Sequence, residues 1–256
     1  MRFLVIKRRT IIIAVLAAIV IAFAVTGVYY TGAAAIYNNI SPKKVPIYSV
    51  ETDEKAVALT FDAAWGADKT LGILETLESK DACATFFLVS FWAEKYESEL
   101  KTLAASDRIE IGTHSATHPY MSKLSRDRIS LELSTSKSLI ENISGRKIEL
   151  FRPPYGDYSD TLITEATAQG LYTIQWDVDS LDWKGISKDE ITSRIVNNCR
   201  NGSIVLMHND GKHTLDALPA IIDGLRAKGF TFKTVGELIY KDDYIIDHTG
   251  RQIRST

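Results

Sequence analysis

The sequence predicts an α/β fold built on parallel strands, and three observations carry that prediction. Short apolar runs alternate with amphipathic stretches about seven times over some two hundred residues. The runs have strand length, while the stretches between them place apolar residues three or four apart, as a helix face requires. Polar residues suited to chemistry fall just after the runs, where the strand ends of a parallel sheet gather on one face. Periodicity alone leaves an open doubly wound sheet and a barrel both standing.

In chain order, the first feature is not a strand. Lys7, Arg8 and Arg9 precede an uncharged apolar run from Ile11 to Val28. A run of this length with a cationic flank predicts a signal anchor over 11–30, with residues 1–10 on the cytoplasmic side and the rest of the chain exported. The run exceeds the usual length of a cleavable signal core, although small residues at Ala33 to Ala35 offer a cleavage point. Either outcome exports the remainder, so the expected location is the cell membrane, single-pass, with the domain outside the cytoplasm. Residues 31–50 are polar with two prolines and read as a linker.

The expected strands follow as "AVALTF", "ACATFFLV", "RIEIGT", "IELFRP", "LYTIQWDV", "GSIVLMH" and "FTFKTV". Between them, helices are expected in "DKTLGILETLESK", "SELKTLAASD", "DRISLELSTSKSLIENISG", "SDTLITEATAQG", "KDEITSRIVNNC" and "TLDALPAIIDGLRAKG". One domain over 51–240 accommodates all of them, and residues 241–256 read as a mostly polar tail without a role.

Charge and cysteine content exclude some functions. Four of the 30 Lys and Arg lie in the N-terminal flank, leaving 26 against 32 Asp and Glu. Such an acidic domain has no footprint for nucleic acid. Cys83 and Cys199 have no Cys or His at a zinc-motif spacing and are expected to be free buried thiols.

The chemistry-bearing residues sit in five short motifs. Asp62 ends a strand in "ALTFDAAWGAD". "THSATHP" places His114 and His118 four apart, a spacing that suits a divalent metal and equally suits a solvated turn. "LFRPPYG" sets Arg152 on a stiff loop, where a guanidinium can hold a carboxylate ionised or simply make a surface ion pair. "WDVDSLDWKG" carries Asp177, Asp179 and Asp182, any of which could partner a histidine, beside Trp176 and Trp183. "SIVLMHND" ends a strand on His208, a position suited to a general acid.

Together, the order TFDxxxG, HSxxHP, RPPYG, DxxDW and LxH resembles the five motifs of the polysaccharide deacetylase family, the NodB-homology or carbohydrate esterase family 4 domain. The resemblance spans roughly residues 55 to 235. The apolar N-terminal run and the "TFDAAWG" form look most like the sporulation-type, PdaB-like branch. The resemblance implies a distorted (β/α) barrel and hydrolysis of the acetamido group of N-acetylated cell-wall glycan, peptidoglycan first among them. It implies a divalent cation, zinc first, with cobalt or nickel as alternatives. It assigns Asp62 as general base, His114 and His118 as metal ligands, and Arg152 as the residue that steadies the base. Further, it assigns the Tyr155 backbone N–H as oxyanion donor, Asp182 as the partner of the acid His208, and Trp183 and Leu206 as walls of the acetyl pocket.

One place departs from the pattern. The family's third metal ligand is a second aspartate, and the corresponding residue is Ala63. A methyl group cannot bind a cation, so Asp62 itself or Asp68 would have to substitute, or the cation is weakly held, or hydrolysis is lost. The second reading is therefore a glycan-binding protein without turnover.

Overall fold

The structure, a computed structural model, describes residues 8, 9, 15–23, 25–27 and 43–255. The chain divides into two compact units, 1–43 and 44–256. In the first, residues 15–23 and 25–27 are helical with exposed side chains. Among the described residues, no helix is long and apolar enough to cross a membrane. The rest of the expected 11–30 span, and the expected linker up to residue 42, lie outside the described residues.

In the second unit every expected strand and helix forms. The strands are β1 (Ser49–Val50), β2 (Ala56–Ala63), β3 (Ala84–Leu88), β4 (Ile109–Thr113), β5 (Leu150–Phe151), β6 (Tyr172–Thr173), β7 (Val178–Asp179), β8 (Ser203–His208), β9 (Thr231–Phe232), β10 (Tyr244–Ile246) and β11 (Arg251–Arg254). The helices are α1 (Thr70–Ser79), α2 (Ser90–Lys95), α3 (Glu97–Ala105), α4 (Arg126–Ser144), α5 (Asp160–Ala168), α6 (Lys188–Asn198), α7 (Thr214–Ala227) and α8 (Val235–Leu238). The sheet runs β10-β11-β1-β8-β2-β3-β4-β5-β6, with β7 beside β8 and β9 beside β2. From β8 through β6 the neighbours are parallel. A bridge from Ile47 to Ile174, continuous with β6, brings the far edge back towards β1, so the sheet curls into an incomplete barrel.

Three expectations need correction. The expected polar tail, residues 241–256, has a part in the fold: β10 and β11 form an antiparallel pair that extends the sheet beside β1. The expected linker ends earlier, because Ile47 and β1 are already paired. "LYTIQWDV" is two short strands, with Asp177 bonded to the Ile204 amide and the Ser203 hydroxyl at the start of β8 rather than at a strand end.

The pleat explains where the core and the site lie. Along β2, Val57, Leu59, Phe61 and Ala63 join the layer packed under the helices, while Ala56 and Ala58 face the barrel interior. On β8, Val205 and Met207 face the helices and Ile204 faces inward. The interior is filled by Phe87, Leu150, Ile174 and Ile204. Gly112 is obligatory opposite them, since a Cβ there would lie 2.7 Å from the Phe87 ring. Along β2, β5 and β8 the inward-facing positions turn polar near the strand C-termini, at Thr60, Asp62, Arg152 and His208.

Candidate active site

Asp62 and His208 end neighbouring parallel strands and stand opposite each other in register. Both line a cavity of about 680 Å³, together with His114, His118, Asp182 and Leu206. Residues scattered over more than a hundred positions of sequence thus meet on one face, as the strand-end pattern required.

Asp62 is 6% exposed and Arg152 is fully buried. Arg152 Nη1 donates to Asp62 Oδ1 at 2.8 Å and to Thr60 Oγ1 at 2.7 Å, while Nη2 donates to the Gln175 carbonyl. The guanidinium also lies 4.2 Å from the centre of the Phe87 ring. Burial alone would raise the Asp62 pKa, but the charge of Arg152, with His114 and His208 adding, holds it below the usual carboxylate range. Asp62 is therefore an oriented carboxylate at neutral pH.

His114 is 3% exposed, and its Nδ1 lies 2.7 Å from the Arg152 carbonyl. A carbonyl only accepts, so Nδ1 carries the proton and Nε2 keeps its lone pair, 3.5 Å from Asp62 Oδ2. Burial lowers the pKa of His114, and burial followed by the charge of His114 brings that of His118 down to about 4. Both rings are neutral at pH 7, and their centroids stand 4.9 Å apart. His118 Nδ1 is buried without a partner. Neutral rings with free lone pairs fit a divalent cation, and His114 and His118 are the residues that would hold one. A catalytic zinc usually has three protein ligands, however, and no group of three His, Cys, Asp or Glu suited to a metal occurs among the described residues.

The loop carrying these histidines is held from below by Glu132 on α4. Its Oε2 accepts from the Ala116 and Thr117 amides at 3.0 and 2.9 Å, and its Oε1 from the Thr117 hydroxyl at 2.7 Å. Ser115 Oγ accepts the His118 amide at 3.0 Å. These bonds hold a backbone with φ of 75° at Ser115 and 58° at His118. Tyr155 (φ 60°) and Leu181 (φ 56°) are likewise left-handed, so four of the six non-glycine residues with positive φ among those described belong to the loops around this cavity. Left-handed backbone costs about 1–2 kcal/mol per residue and gathers where geometry serves function.

On the other side, His208 Nδ1 donates to Asp182 Oδ1 at 2.7 Å. Asp182 Oδ2 accepts from the His208 amide at 2.8 Å and the Thr214 hydroxyl at 2.6 Å. Burial alone would lower the His208 pKa, but the hydrogen bond and charge of Asp182, with Asp62 and Asp210 adding, raise it above its usual value. Gly211 permits this closeness, because a Cβ there would sit 2.2 Å from the Thr214 hydroxyl.

With this geometry in place, comparison with known proteins becomes decisive. The family model for polysaccharide deacetylase matches residues 49–174. A peptidoglycan-N-acetylglucosamine deacetylase of Bacillus cereus is 34% identical over 192 residues, 73% of this chain and 70% of that protein. The chain belongs to the polysaccharide deacetylase family. Among other relatives of this deacetylase domain, the peptidoglycan-N-acetylmuramic acid deacetylase PdaC of Bacillus subtilis is 32% identical, over 74% of this chain and 40% of that one. A solved CE4-family pseudoenzyme from Bacillus anthracis superposes with a TM-score of 0.73 at 35% identity, over 78% of this chain and 70% of that one. A mutant of that pseudoenzyme has restored enzymatic activity.

Of the residues singled out in the sequence, Asp62, His114, His118, Arg152, Tyr155, Asp182, Trp183, Leu206 and His208 all come together at this cavity or directly beneath it. Asp68 is exposed and off the cavity wall, in the turn before α1, which counts against it as a substitute ligand. Ala63, where the resemblance puts the missing third ligand, is fully buried in the core, Ala64 lies on the cavity wall, and neither carries a donor. Sequence reading missed Glu132, Trp65 and Asn209. Glu132 had a signal, since it falls on the stripe of Ile129, Leu133, Ser136 and Ile140 that α4 buries, where a charge is informative. Asn209 donates to the Gly66 carbonyl, which also accepts from Trp92 Nε1, and so fixes the loop after Asp62.

Proposed function

We propose that this chain is an exported N-deacetylase, anchored by its apolar N-terminal run, that hydrolyses the acetamido group of N-acetylated sugars in cell-wall glycan, with peptidoglycan as the first candidate. The observation that carries the reading is the pairing of two carboxylate-based dyads across one cavity: Asp62 on Arg152, which lowers its pKa, and His208 on Asp182, which raises its pKa. Asp62 takes a proton from the attacking water as the new carbon–oxygen bond forms. His208 delivers a proton from Nε2 to the nitrogen as the carbon–nitrogen bond breaks, releasing acetate and the amino sugar. The Tyr155 amide is the candidate donor to the oxyanion, and Leu206 and Trp183 are walls for the acetyl methyl. His114 and His118 would hold a divalent cation, zinc first, and when bound it would supply Lewis acidity to the amide carbonyl and to water. The "TFDAAWG" motif favours a role in sporulation, as in the PdaB-like branch.

Acetate release from N-acetylglucosamine oligomers and from peptidoglycan tests this, with the unit 44–256 assayed with zinc, with cobalt and with chelator. Metal-stimulated release that disappears in His208→Ala supports the reading. Release that survives both His114→Ala and His208→Ala overturns it. The second reading, glycan recognition without turnover, is favoured by the missing third donor and predicts binding with no acetate under any metal.

A further inference from the structure

Behind the acid stands a hydroxyl that the hydrolytic reaction does not touch. Thr214 is the first residue of α7 and is fully buried. A hydroxyl at a helix start commonly caps its own helix by accepting from a free amide. In α7 no side-chain cap forms, and the Thr214 hydroxyl donates instead to Asp182 Oδ2 at 2.6 Å, across 32 residues of sequence. The fold makes room for this contact: Asp182 is fully buried, and a Cβ on Gly211 would stand 2.2 Å from the Thr214 hydroxyl and 2.8 Å from Asp182 Oδ2.

Asp182 does not need Thr214 to find His208. Its two oxygens already accept from His208 Nδ1 at 2.7 Å and from the His208 amide at 2.8 Å, which fixes the carboxylate on the acid. The hydroxyl therefore acts on the charge of the carboxylate rather than on its direction. A donor to Asp182 stabilises the carboxylate most when no cation faces it, that is, when His208 is neutral. Thr214 thus favours release of the His208 proton. It works against the three carboxylates that hold that proton: Asp182 itself, Asp62 on β2, and Asp210 on the loop after β8. The other charged or titratable groups around His208 are His114 and His118, both neutral at pH 7, Arg152 on Asp62, Lys69 on the Asp210 carbonyl, and Lys212 on the cavity wall. Substitution of Thr214 leaves all of these in place.

We propose that Thr214 is a positioning residue for the acid: acting through Asp182, its hydroxyl loosens the grip on the His208 proton, so that His208 can yield it to the leaving nitrogen. The catalytic consequence rests on the deacetylase reading. The effect on the His208 proton does not, and it is measurable without turnover.

The test follows the His208 ring by side-chain NMR titration of the full chain, with chelator present; its signal is the one missing from His208→Ala. Thr214→Val removes the hydroxyl at nearly constant volume and is expected to move the His208 titration to higher pH, while Thr214→Ser leaves it near the parent. Asp182→Asn moves it to lower pH, so a site merely loosened by the substitution, with His208 freed from Asp182, is told apart by the sign. Circular dichroism checks that the variants fold, and Thr214→Ala removes the same hydroxyl if the valine variant does not. Where acetate is released, the alkaline limb of the pH–rate profile moves to higher pH in Thr214→Val, and kcat falls with KM unchanged. A His208 titration that stays in place or moves to lower pH without the hydroxyl, or that moves as far in Thr214→Ser, overturns the proposal. Failure of the deacetylase reading looks different: the titration shifts as expected while the parent releases no acetate under zinc or cobalt.

Discussion

Glu132→Ala is the most informative single change in this domain, because one buried carboxylate holds the loop that carries both histidines. Glu132 is 5% exposed and accepts three hydrogen bonds, two from backbone amides that the substitution would leave without a partner. Hydrogen bonds to a charged acceptor contribute about 1.5–3 kcal/mol each, and their losses are not additive, so a net destabilisation of about 3–5 kcal/mol is expected. For a domain of this size that lowers Tm by about 10 °C. The control is Glu132→Gln: its amide oxygen still accepts from Ala116 and Thr117, while its NH₂ donates to the Thr117 hydroxyl. It should lose no more than about 1.5 kcal/mol. Urea denaturation measures both variants, and zinc titration adds a readout specific to the loop. Losing support behind a metal ligand typically weakens affinity about 10- to 100-fold, so Ala should weaken zinc binding by at least tenfold and Gln should not. Equal losses for Ala and Gln, or a loss below about 1 kcal/mol for Ala, would refute the account of Glu132 as the loop's anchor.

Other outcomes follow from the same geometry. In Asp182→Asn the acid loses the group that raises its pKa, so the alkaline limb of the pH–rate profile moves to lower pH and kcat falls by about 10²-fold; an unmoved limb contradicts the dyad. The raised value also stabilises the fold below the unfolded-state value of 6.5, a share lost as pH rises through the folded value, so this variant flattens the alkaline decline in stability. Saturating zinc at about a hundred times its Kd should stabilise the domain by about 2.7 kcal/mol, and His114→Ala should abolish the shift seen by differential scanning fluorimetry. Gly202→Ala should destabilise by more than about 3 kcal/mol in urea titration, because φ is 78° and a Cβ would stand 1.8 Å from the Val50 carbonyl oxygen.

Strand ends were enough to bring Asp62, Arg152 and His208 together, because each ends or directly follows a run whose strand character is plain in the sequence, whereas Asp182 was picked out among three aspartates only by the family resemblance. What was not legible depended on directions rather than positions. Which way residue 63 points is decided by the pleat at the end of β2, and the strand runs two residues further than its apolar run, which ends at Phe61. Glu132 reaches its loop across about sixteen residues of sequence, through a helix–loop packing that no local pattern encodes. "SFWAEK" formed α2 although six residues are too few to show a helical period. The strands β10 and β11 were missed because an edge pair carries alternation too weak to stand out in a polar segment.

Not every site residue argues equally for function. Arg152 is fully buried, and removing Asp62 would leave its charge unpaired at a cost of about 3–5 kcal/mol, so a loss of stability in an Asp62 variant does not by itself report on catalysis. His118 is the opposite case. It holds a left-handed backbone at about 1–2 kcal/mol, and its buried Nδ1 has no partner, a further cost of about 1–3 kcal/mol, against which its side chain sets ring contacts with Trp65, His114 and Tyr155, the bond from its amide to Ser115 Oγ being independent of the side chain. Asparagine tolerates positive φ, so His118→Asn is expected to leave the metal-free domain at least as stable as the parent while removing its thermal response to zinc. A loss of more than about 1.5 kcal/mol in urea denaturation would mean that the fold requires His118 for its own sake. If the variant is more stable than the parent and no longer responds to zinc, the histidine is a stability cost that the fold carries for the sake of a ligand, and the cation-holding half of the site is in use despite its missing third donor.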